Sequence, residues 1–382
     1  MLKRLRVKNF KSLENFEVEF GKFNVLVGRN NSGKSNIIDV LSFLREGFYD
    51  SKEKVFNSRG SFKDVVFGKN DENDIEIEIE GGEDDFSFRY YVKISGRYNN
   101  LKIIGEKLHI NDGRTEHEFN YPEVKFFGEE SLKSFSLETI ASLLRSITYK
   151  DYEEFIKEPE NMKKVEILGR FLSVIENIQT YAIIPYNIKP ETPYAYLEKD
   201  LKLDKECKNL SLVLLNILQK DSKKFKRIRE LLCGAIDEIE DIHPIIEGNR
   251  VYLKVKEAKF NNVFFSWEAA DGTIALLTYI TAIQLAKENI TLCFEEPEDY
   301  IHARLLEFLV DLMRNSDKQI ILVTHSPYFI DWCNPEDLII VERESGETKA
   351  RRIKDSEEMK ESLIESGLSL GESYYSDELK NE

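Results

Sequence analysis

The segment from Phe23 to Asn36 constrains the fold more than any other part of the sequence. It reads FNVLVGRNNSGKSN, so a short apolar run leads into the pattern Gly-x-x-x-x-Gly-Lys-Ser. An apolar helical pattern follows, from Asn36 to Leu44. A strand, a glycine-rich loop and a helix in this order predict a phosphate-binding loop, in which backbone N–H groups and the helix N-terminus surround phosphate oxygens. The alternative is a chance glycine-rich turn, and the agreement of motif and context argues against it.

The residues of this loop have different expected contacts. Lys34 can reach the β- and γ-phosphates of a nucleoside triphosphate, and the hydroxyl of Ser35 can coordinate Mg²⁺. The residues of the loop that are predicted to bind nucleotide are Gly28, Asn30, Asn31, Ser32, Gly33, Lys34, Ser35 and Asn36.

Two later segments are apolar runs that end in polar residues. Residues 291–298 read TLCFEEPE, in which Glu295 and Glu296 follow the apolar run, and residues 319–326 read QIILVTHS, in which His325 does. Ligands of parallel α/β sheets bind at the carboxyl ends of the strands. The two segments therefore predict a carboxylate pair and a histidine at the ligand crevice, although each segment alone could be an acidic turn or an ordinary loop.

Length and composition limit the class of protein. The chain has 382 residues, of which 41% are hydrophobic and 32% are charged, enough for one large α/β domain with an insertion or for two domains. Its net charge of −16 argues against a generally basic nucleic-acid-binding surface. The four cysteines form no C-x-x-C pair, and the sequence shows neither a signal peptide nor an apolar stretch long enough to cross a bilayer. We therefore expect a cytoplasmic protein with reduced thiols, no zinc site and no membrane partner.

An antiparallel sheet is predicted in the first half of the chain. Residues 75–80 alternate strictly between Ile and Glu, and similar alternation continues within 73–119. Turns are predicted at Asn99–Asn100 and at Asn111–Gly113. Alternation with a period of two indicates strands that are buried on one face.

Helical patterns dominate the next part of the chain. They cover 129–180 and 198–241, with an extended stretch from Tyr181 to Thr192 between them. Alternating helices and strands are then predicted at 272–288, 290–296, 302–315, 319–324 and 338–342. The predicted domains are an N-terminal lobe with the phosphate loop, a mainly helical insertion, a C-terminal lobe with the carboxylate pair, and an acidic tail, at 1–125, 126–241, 242–366 and 367–382.

The motifs in this order resemble those of ABC-class, AAA-family ATPases of the RecF/SMC type. The likeness is greatest to the ATPases that accompany overcoming-lysogenization-defect (OLD) nucleases and anti-phage systems. Residues 5–13 resemble the first strand of that family, residues 186–190 its middle segment, and residues 270–273 (ADGT) its Ser-Asp-Gly-Thr signature motif. The resemblance implies an α/β fold of the ABC-type P-loop NTPase head, with a mixed core sheet, an antiparallel β subdomain and a mainly helical insertion.

The same resemblance implies an ATP hydrolase that needs Mg²⁺ and dimerises around ATP. In such dimers the phosphate loop of one subunit faces the signature motif of the other. Asp271, Gly272 and Thr273 begin a predicted helix, so their N–H groups would bind the γ-phosphate. The alternative is that Asp271 merely caps this helix.

The remaining site residues are also assigned from the resemblance. Glu295 would belong to the Mg²⁺ shell, Glu296 would orient the attacking water, and His325 would sense the γ-phosphate. His302 either supports the loop after the carboxylates or simply begins a helix. Lys11 either lies near the adenine and ribose or belongs to an exposed face.

Three residues depart from the family pattern. Asn31 stands where Gly is usual, but Asn tolerates a left-handed backbone. Glu295 replaces an Asp, and Ala270 replaces the signature Ser, which removes a hydroxyl that could bind the γ-phosphate. A hydrogen bond to a charged acceptor is worth roughly 1.5–3 kcal/mol, so slow turnover is expected. The glutamine that contacts Mg²⁺ in relatives is not assigned, because Gln179 and Gln219 both lie in helical patterns.

Two classes of function follow. The first is a homodimeric ATPase that loads, licenses or restrains a separate DNA-acting partner, such as a nuclease, in defence or DNA repair. The second is a nucleotide-gated scaffold with slow turnover that holds an effector protein inactive. Candidate DNA contacts are the basic runs at 223–229 and 349–354, which could equally be solvated faces. A transporter subunit is a distant third, since nothing indicates a membrane partner.

Overall fold

The computed structural model describes residues 1–49, 52–83, 85–97, 101–113, 115–121, 159–194, 201–259, 263–287, 290–353 and 356–376. Contacts divide the chain into two compact units. Unit 1 comprises Met1–Gly21, Gly28–Ile178 and Ile339–Arg351, and unit 2 comprises Lys22–Val27, Gln179–Leu338 and Arg352–Glu382. The four predicted domains follow other boundaries and stay a prediction.

The strands are β1 (Leu2–Phe10), β2 (Leu13–Glu19), β3 (Phe23–Val27), β4 (Ile75–Glu83), β5 (Phe86–Ser95), β6 (Lys102–Asn111), β7 (Glu116–Tyr121), β8 (Ile178–Tyr181), β9 (Thr192–Pro193), β10 (Ile239–Glu247), β11 (Arg250–Glu257), β12 (Val263–Phe265), β13 (Thr291–Glu295), β14 (Gln319–Thr324), β15 (Leu338–Glu344) and β16 (Glu347–Arg352). The helices are α1 (Lys34–Tyr49), α2 (Lys52–Asn57), α3 (Phe62–Val65), α4 (Pro159–Glu176), α5 (Pro185–Ile188), α6 (Leu210–Lys220), α7 (Ser222–Ala235), α8 (Asp271–Leu285), α9 (Ala303–Arg314), α10 (Pro327–Ile330), α11 (Ser356–Ser366) and α12 (Leu370–Tyr375). Short 3₁₀ turns lie at Phe67–Lys69, Pro297–Asp299 and Pro335–Asp337.

Unit 1 contains a six-stranded antiparallel sheet with the order β2-β1-β4-β5-β6-β7. In β4, Ile75, Ile77 and Ile79 are fully buried, and the intervening glutamates are only partly buried. The predicted antiparallel sheet with one buried face is therefore confirmed. The turn predicted at Asn111–Gly113 follows β6, whereas the turn at Asn99–Asn100 lies outside the described residues.

Aromatic side chains fix helix α1 in unit 1. Phe43 of α1 packs edge-on against Phe10 of β1, with ring centroids 5.4 Å apart, and against Phe56 of α2 at 5.1 Å. Further along α1, Phe48 lies 5.8 Å from Phe171 of α4. The helix that follows the phosphate loop is thus anchored on the buried side of the sheet.

Unit 2 contains the parallel strands β3, β14 and β13, in that order, with β8 beside β13. All residues of β3 and β14 are buried, as expected for parallel strands that are covered on both faces. Val27 is in register with Thr324, and Val323 is in register with Glu295. The carboxyl ends of the three strands therefore lie level at one edge of the sheet, and the phosphate loop begins at the residue that follows Val27.

The remaining strands of unit 2 form an antiparallel sheet of β10, β11 and β12, with β9 also paired to β11. Helix α8 is buried along most of its length, from Thr273 to Ile283. Within the described residues, no helix combines the length and apolar character that crossing a bilayer requires.

Two secondary-structure predictions in the middle of the chain are wrong. The stretch predicted as helical up to residue 180 ends in strand β8. This segment forms a strand because it pairs with β13 at the edge of the core sheet, and all four of its residues are buried. The segment predicted as extended contains α5, with Pro185 at the favoured first helical position. The helical prediction for 129–158 lies outside the described residues.

Candidate functional site

The phosphate loop adopts the backbone conformation that its sequence requires. Gly33 has a φ of 103° and Asn31 has a φ of 67°, so both lie in the left-handed region. Asn31 therefore takes the conformation that the usual Gly would supply, as expected. Gly28 is buried, whereas Asn30, Asn31 and Ser35 are exposed.

Neighbouring atoms approach both loop glycines closely. A Cβ on Gly33 would lie 2.0 Å from Oγ1 of Thr348, and one on Gly28 would lie 2.2 Å from the carbonyl oxygen of Val341. No side chain fits at either position. The loop is therefore held by close packing as well as by hydrogen bonds.

Two polar groups of the loop suit a phosphate ligand. The ammonium of Lys34 donates hydrogen bonds to the carbonyl oxygens of Gly28 (2.7 Å) and Arg29 (3.0 Å), so it lies within the turn of the loop. The hydroxyl oxygen of Ser32 is buried and has no hydrogen-bond partner among the described residues. A buried hydroxyl of this kind is costly unless a ligand or water satisfies it.

A chain of hydrogen bonds connects the loop to β16 and to the turn after β1. The Ser12 and Thr348 hydroxyls lie 2.7 Å apart, and the amide of Asn36 donates to Ser12 Oγ at 2.7 Å. The hydroxyl of Thr348 also donates to the carbonyl oxygen of Ser32 at 2.8 Å. Sequence reasoning missed Ser12 and Thr348, because the pairing joins distant segments and leaves no local signal.

Lys11 has a partner in helix α1. Its ammonium lies 2.8 Å from Oδ2 of Asp39, and Arg59 approaches Oδ1 of the same carboxylate at 2.8 Å. Burial acts to raise the pKa of Asp39, but the hydrogen bonds from Arg59 and Lys11 outweigh it and leave this pKa lowered. The predicted contact of Lys11 with adenine stays a prediction.

The carboxylate pair lies where β13 ends. Glu295 is the last residue of the strand and is exposed. Glu296 still donates its backbone N–H to the carbonyl oxygen of Val323 at 2.8 Å, and it has a left-handed φ of 45°. A positive φ is uncommon for a residue with a Cβ, and such strain often accompanies functional sites.

The two predicted catalytic residues lie side by side. Nδ1 of His325 is 3.3 Å from Oε1 of Glu296. His325 follows β14 and Glu296 follows β13, so the register of these two parallel strands produces the contact. The same imidazole nitrogen lies 3.9 Å from Oε1 of Glu298, a residue that sequence reasoning left unassigned.

The side chain of Glu298, close to His325, is only 9% exposed. Burial raises the pKa of its carboxyl group, an effect that the hydrogen bond from Thr324 partly opposes. Burial also raises the pKa of the neighbouring Asp299, and the charge of Glu296 raises it further. The sequence places Glu298 in the motif, but nothing local in the sequence shows that it is buried.

The signature segment begins helix α8. The helix starts at Asp271, and Ala270 occupies the N-cap position without a side-chain hydrogen bond. Asp271 therefore does not cap the helix, and its carboxylate pairs with the ammonium of Lys189 at 2.5 Å. The N–H groups of Asp271 and Gly272 belong to the first turn, where intrahelical acceptors are missing.

Two other side chains, those of His302 and Gln179, have hydrogen-bond partners within their own elements. His302 caps α9, because its Nδ1 accepts a hydrogen bond from the N–H of Arg304 at 3.3 Å. This geometry favours the helix-start alternative. The helical interpretation of Gln179 is wrong: it lies in β8, and its side chain accepts a hydrogen bond from the hydroxyl of Tyr181.

Ser35 carries a hydroxyl and Glu295 a carboxylate, oxygen groups of the kind that Mg²⁺ prefers, and their assignment to Mg²⁺ stays a prediction. Within the described ranges, no group of three or more His, Cys, Asp or Glu side chains could hold a metal.

The basic runs are partly engaged within the protein. In α7, Lys226 pairs with Glu230 at 3.6 Å, and Arg229 pairs with Asp241 at 3.4 Å. In the second run, Arg352 donates to the carbonyl oxygen of Glu336 at 2.8 Å. Lys354 lies outside the described residues.

Known structures support the fold. The structure called “Crystal structure of the SmcHead bound to the C-winged helix domain of ScpA” is similar with a TM-score of 0.58 and 17% identity, over 94% of this chain and 99% of that chain. “SMC head domain from Thermotoga maritima” is similar with a TM-score of 0.48 and 14% identity, over 93% and 99%. At 17% identity, the first likeness shows a shared fold. The predicted fold class, an α/β ABC-type P-loop NTPase head, is confirmed.

Sequence comparisons point to the same class. A protein called “ATP/GTP phosphatase” from Helicobacter pylori (strain ATCC 700392 / 26695) is 42% identical over 45 residues, which are 12% of this chain and 12% of that protein. The family described as “AAA domain, putative AbiEii toxin, Type IV TA system” matches residues 23–331. This match includes the phosphate loop, the signature segment, the carboxylate pair and His325, and the chain belongs to this family of AAA ATPase domains.

Proposed function

We propose that the protein binds ATP through its phosphate loop and hydrolyses it with the help of Mg²⁺. The observation that carries this proposal is the loop itself. The Lys34 ammonium lies within its turn, Ser32 keeps a buried hydroxyl without a partner, and Gly33 leaves no room for a side chain. Mg²⁺ would neutralise charge on the phosphate oxygens, and Ser35 and Glu295 are the residues that would hold it.

Glu296 and His325 are proposed to carry out the chemistry. Glu296 would orient a water molecule and take its proton as the water attacks the γ-phosphorus and the bond to ADP breaks. His325, in contact with Glu296, would bind the γ-phosphate. Their proximity supports this division of roles.

The signature segment is proposed to complete the site of a second copy. In the family that the motifs resemble, this segment faces the phosphate loop of another subunit, and the free N–H groups at the start of α8 would bind the γ-phosphate there. ATP would then hold a homodimer together. Asp271 would contribute its N–H, while Lys189 balances the charge of its side chain.

The proposed biological role is the regulation or loading of a DNA-acting partner, such as a separate nuclease or effector, in anti-phage defence or DNA repair in the cytoplasm. The likeness of the motifs to OLD-associated ATPases supports this role. The SMC head in the similar structure is bound to a domain of ScpA, which supports a partner protein here as well. Any DNA contact would be local, because the net charge is −16.

One observation favours a second candidate, the slow nucleotide-gated scaffold that holds an effector inactive. Ala270 gives the start of α8 no side-chain hydroxyl and no cap. ATP could then bind across the dimer while hydrolysis stays slow. Steady-state turnover with and without double-stranded DNA separates the two candidates, since only the first predicts stimulation by DNA.

Calorimetric titration with ATP tests the nucleotide site. We expect Lys34→Ala to weaken ATP binding by about ten- to a hundredfold, as the loss of a hydrogen bond to a charged group of roughly 1.5–3 kcal/mol implies. Lys22→Ala, which changes an exposed lysine just before β3, is the matched control and should bind normally. Equal affinity of both folded variants would refute the assignment.

A further inference from the structure

Glu298 is tied to the turn that carries His325. Its Oε1 accepts hydrogen bonds from the hydroxyl of Thr324 (2.5 Å) and from the backbone N–H of His325 (3.3 Å). Its side chain is only 9% exposed. A buried carboxylate thus holds the last residue of β14 and the residue that follows it.

Oε1 of Glu298 is also linked to Ser326, through the hydroxyl of Thr324. The hydroxyl of Thr324, while donating to Glu298, accepts a hydrogen bond from the N–H of Ser326 at 3.0 Å. Ser326 in turn caps α10 by accepting from the N–H of Phe329. Three consecutive residues, 324–326, are therefore connected to one carboxylate oxygen.

A purely structural role does not account for the charge of Glu298. Its second oxygen, Oε2, is buried and has no hydrogen-bond partner among the described residues. A buried carboxylate oxygen without a partner is costly, and a neutral side chain could accept the same two hydrogen bonds. The carboxylate does, however, lie 3.9 Å from Nδ1 of His325, next to the contact of that nitrogen with Glu296.

We propose that Glu298 is a positioning residue for ATP hydrolysis. It fixes the backbone at 324–326 and, together with Glu296, orients the imidazole of His325 toward the γ-phosphate. This inference rests on the proposed function, because orienting His325 matters only if His325 contacts the nucleotide. Glu298 itself touches neither nucleotide nor water in this proposal.

The structural part of the test needs no nucleotide. The chain has five histidines, so a protein labelled with ¹⁵N-histidine gives few backbone amide signals, and His325→Gln identifies the one of interest. In Glu298→Ala we expect the His325 amide signal to shift and its hydrogen exchange to accelerate at least about tenfold, because its acceptor is gone. The signals of the other histidines should stay in place, which also shows that the variant is folded.

The kinetic part separates binding from turnover. Glu298→Ala and Thr324→Val should each lower kcat by about 100-fold, as misplacement of a catalytic group does, with ATP affinity unchanged. Thr324→Ser keeps the hydroxyl and should retain most of the activity. The double variant Glu298→Ala/Thr324→Val should be no slower than the slower single variant, because both changes remove the same hydrogen bond between Thr324 and Glu298. Glu307→Ala, an exposed acidic residue of α9, is the matched control.

The outcomes separate this inference from the proposed function. Wild-type protein without any ATP turnover would refute the proposed function and the role of Glu298 with it. Normal wild-type turnover together with unchanged kcat in folded Glu298→Ala would overturn the role of Glu298 alone. An unchanged His325 amide in that variant would overturn it as well.

Discussion

The hydroxyl of Thr348 donates a hydrogen bond of 2.8 Å to the carbonyl oxygen of Ser32, a residue 316 positions earlier in the chain. Thr348 is fully buried, and its Oγ1 also lies 2.7 Å from the hydroxyl of Ser12. The close approach to Gly33 places the same side chain against the backbone of the phosphate loop. The shape of this loop therefore depends on a strand near the other end of the sequence.

We expect Thr348→Val to weaken ATP binding. The valine keeps the volume of the side chain but leaves the carbonyl oxygen of Ser32 and the hydroxyl of Ser12 without this partner. An unsatisfied buried group costs about 1–3 kcal/mol, which corresponds to roughly a five- to hundredfold loss of affinity if the loop must reorder on binding. Calorimetric titration with ATP measures the change. Thr348→Ser keeps the hydroxyl and is the control, so equal weakening in both variants would contradict this explanation.

The pKa of Asp39 predicts a pH-dependent contribution to stability. Its folded-state pKa is lowered from the ordinary value of 3.8, so its ionised form stabilises the fold above that pH, and the contribution is lost as the pH falls through the lowered pKa. Asp39→Asn should therefore cost about 1.5–3 kcal/mol of unfolding free energy at neutral pH and progressively less below pH 3.8.

Urea unfolding of both proteins over a pH series checks this expectation. Asp85→Asn is a suitable control, since the Asp85 side chain is 70% exposed and pairs with Arg170 at the surface. Such a pair is worth at most about 1 kcal/mol. A constant difference between wild type and Asp39→Asn down to the acid limit would show that the charge of Asp39 is not the cause.

Substitutions of the two carboxylates at the end of β13, Glu295 and Glu296, should have different effects. Glu296→Gln keeps the shape of the side chain next to His325 but cannot take a proton, so turnover should fall by about 10²–10⁴-fold with ATP binding intact. Glu295→Gln should instead raise the Mg²⁺ concentration needed for half-maximal turnover. A Mg²⁺ titration of steady-state hydrolysis in both variants is the measurement. If the Mg²⁺ requirement changes in Glu296→Gln and not in Glu295→Gln, the roles are reversed.

The parts of the fold that could be predicted are those that local sequence determines. The alternation in β4, the apolar strands β3, β13 and β14, and the glycine-rich loop each have a pattern within a few residues. Strand β8 was not predicted, because its four residues, Ile178–Tyr181, mix apolar and polar side chains and contain no Gly or Pro that would end the helical pattern of α4. Whether such a segment forms a strand depends on the neighbour β13, which is distant in sequence.

The same distinction applies to the site. Lys34, Glu296 and His325 stand out because their residue types follow apolar strands. Thr348 and Glu298 do not, because what matters about them is burial and a partner on another element. Contacts between residues that are far apart in the chain produce no local or periodic pattern in the sequence.

Helix α8 begins with an incomplete cap. Ala270 has the extended backbone of an N-cap residue, with a φ of −60° and a ψ of 144°, but its methyl group accepts no hydrogen bond. Substitution of Gly272 would be a poor test of ATP-driven dimerisation. A Cβ at this position would lie 2.8 Å from the carbonyl oxygen of Tyr300 and would disturb the subunit itself. Ala270 is exposed and avoids this difficulty.

Substitutions of Ala270 can therefore separate capping from contact with a second subunit. Both Ala270→Ser and Ala270→Asp supply a cap acceptor and should stabilise the start of α8 by about 0.5–2 kcal/mol. The serine also restores a donor to a γ-phosphate, so kcat should rise with little change in ATP affinity, the pattern of an interaction made mainly in the transition state. The aspartate instead places a negative charge against that phosphate and should block ATP-driven dimerisation, while each monomer still binds ATP. Light scattering with ATP and single-turnover hydrolysis measure these effects; if Ala270→Asp still dimerises, the signature segment is only a helix start and the model of a shared site fails.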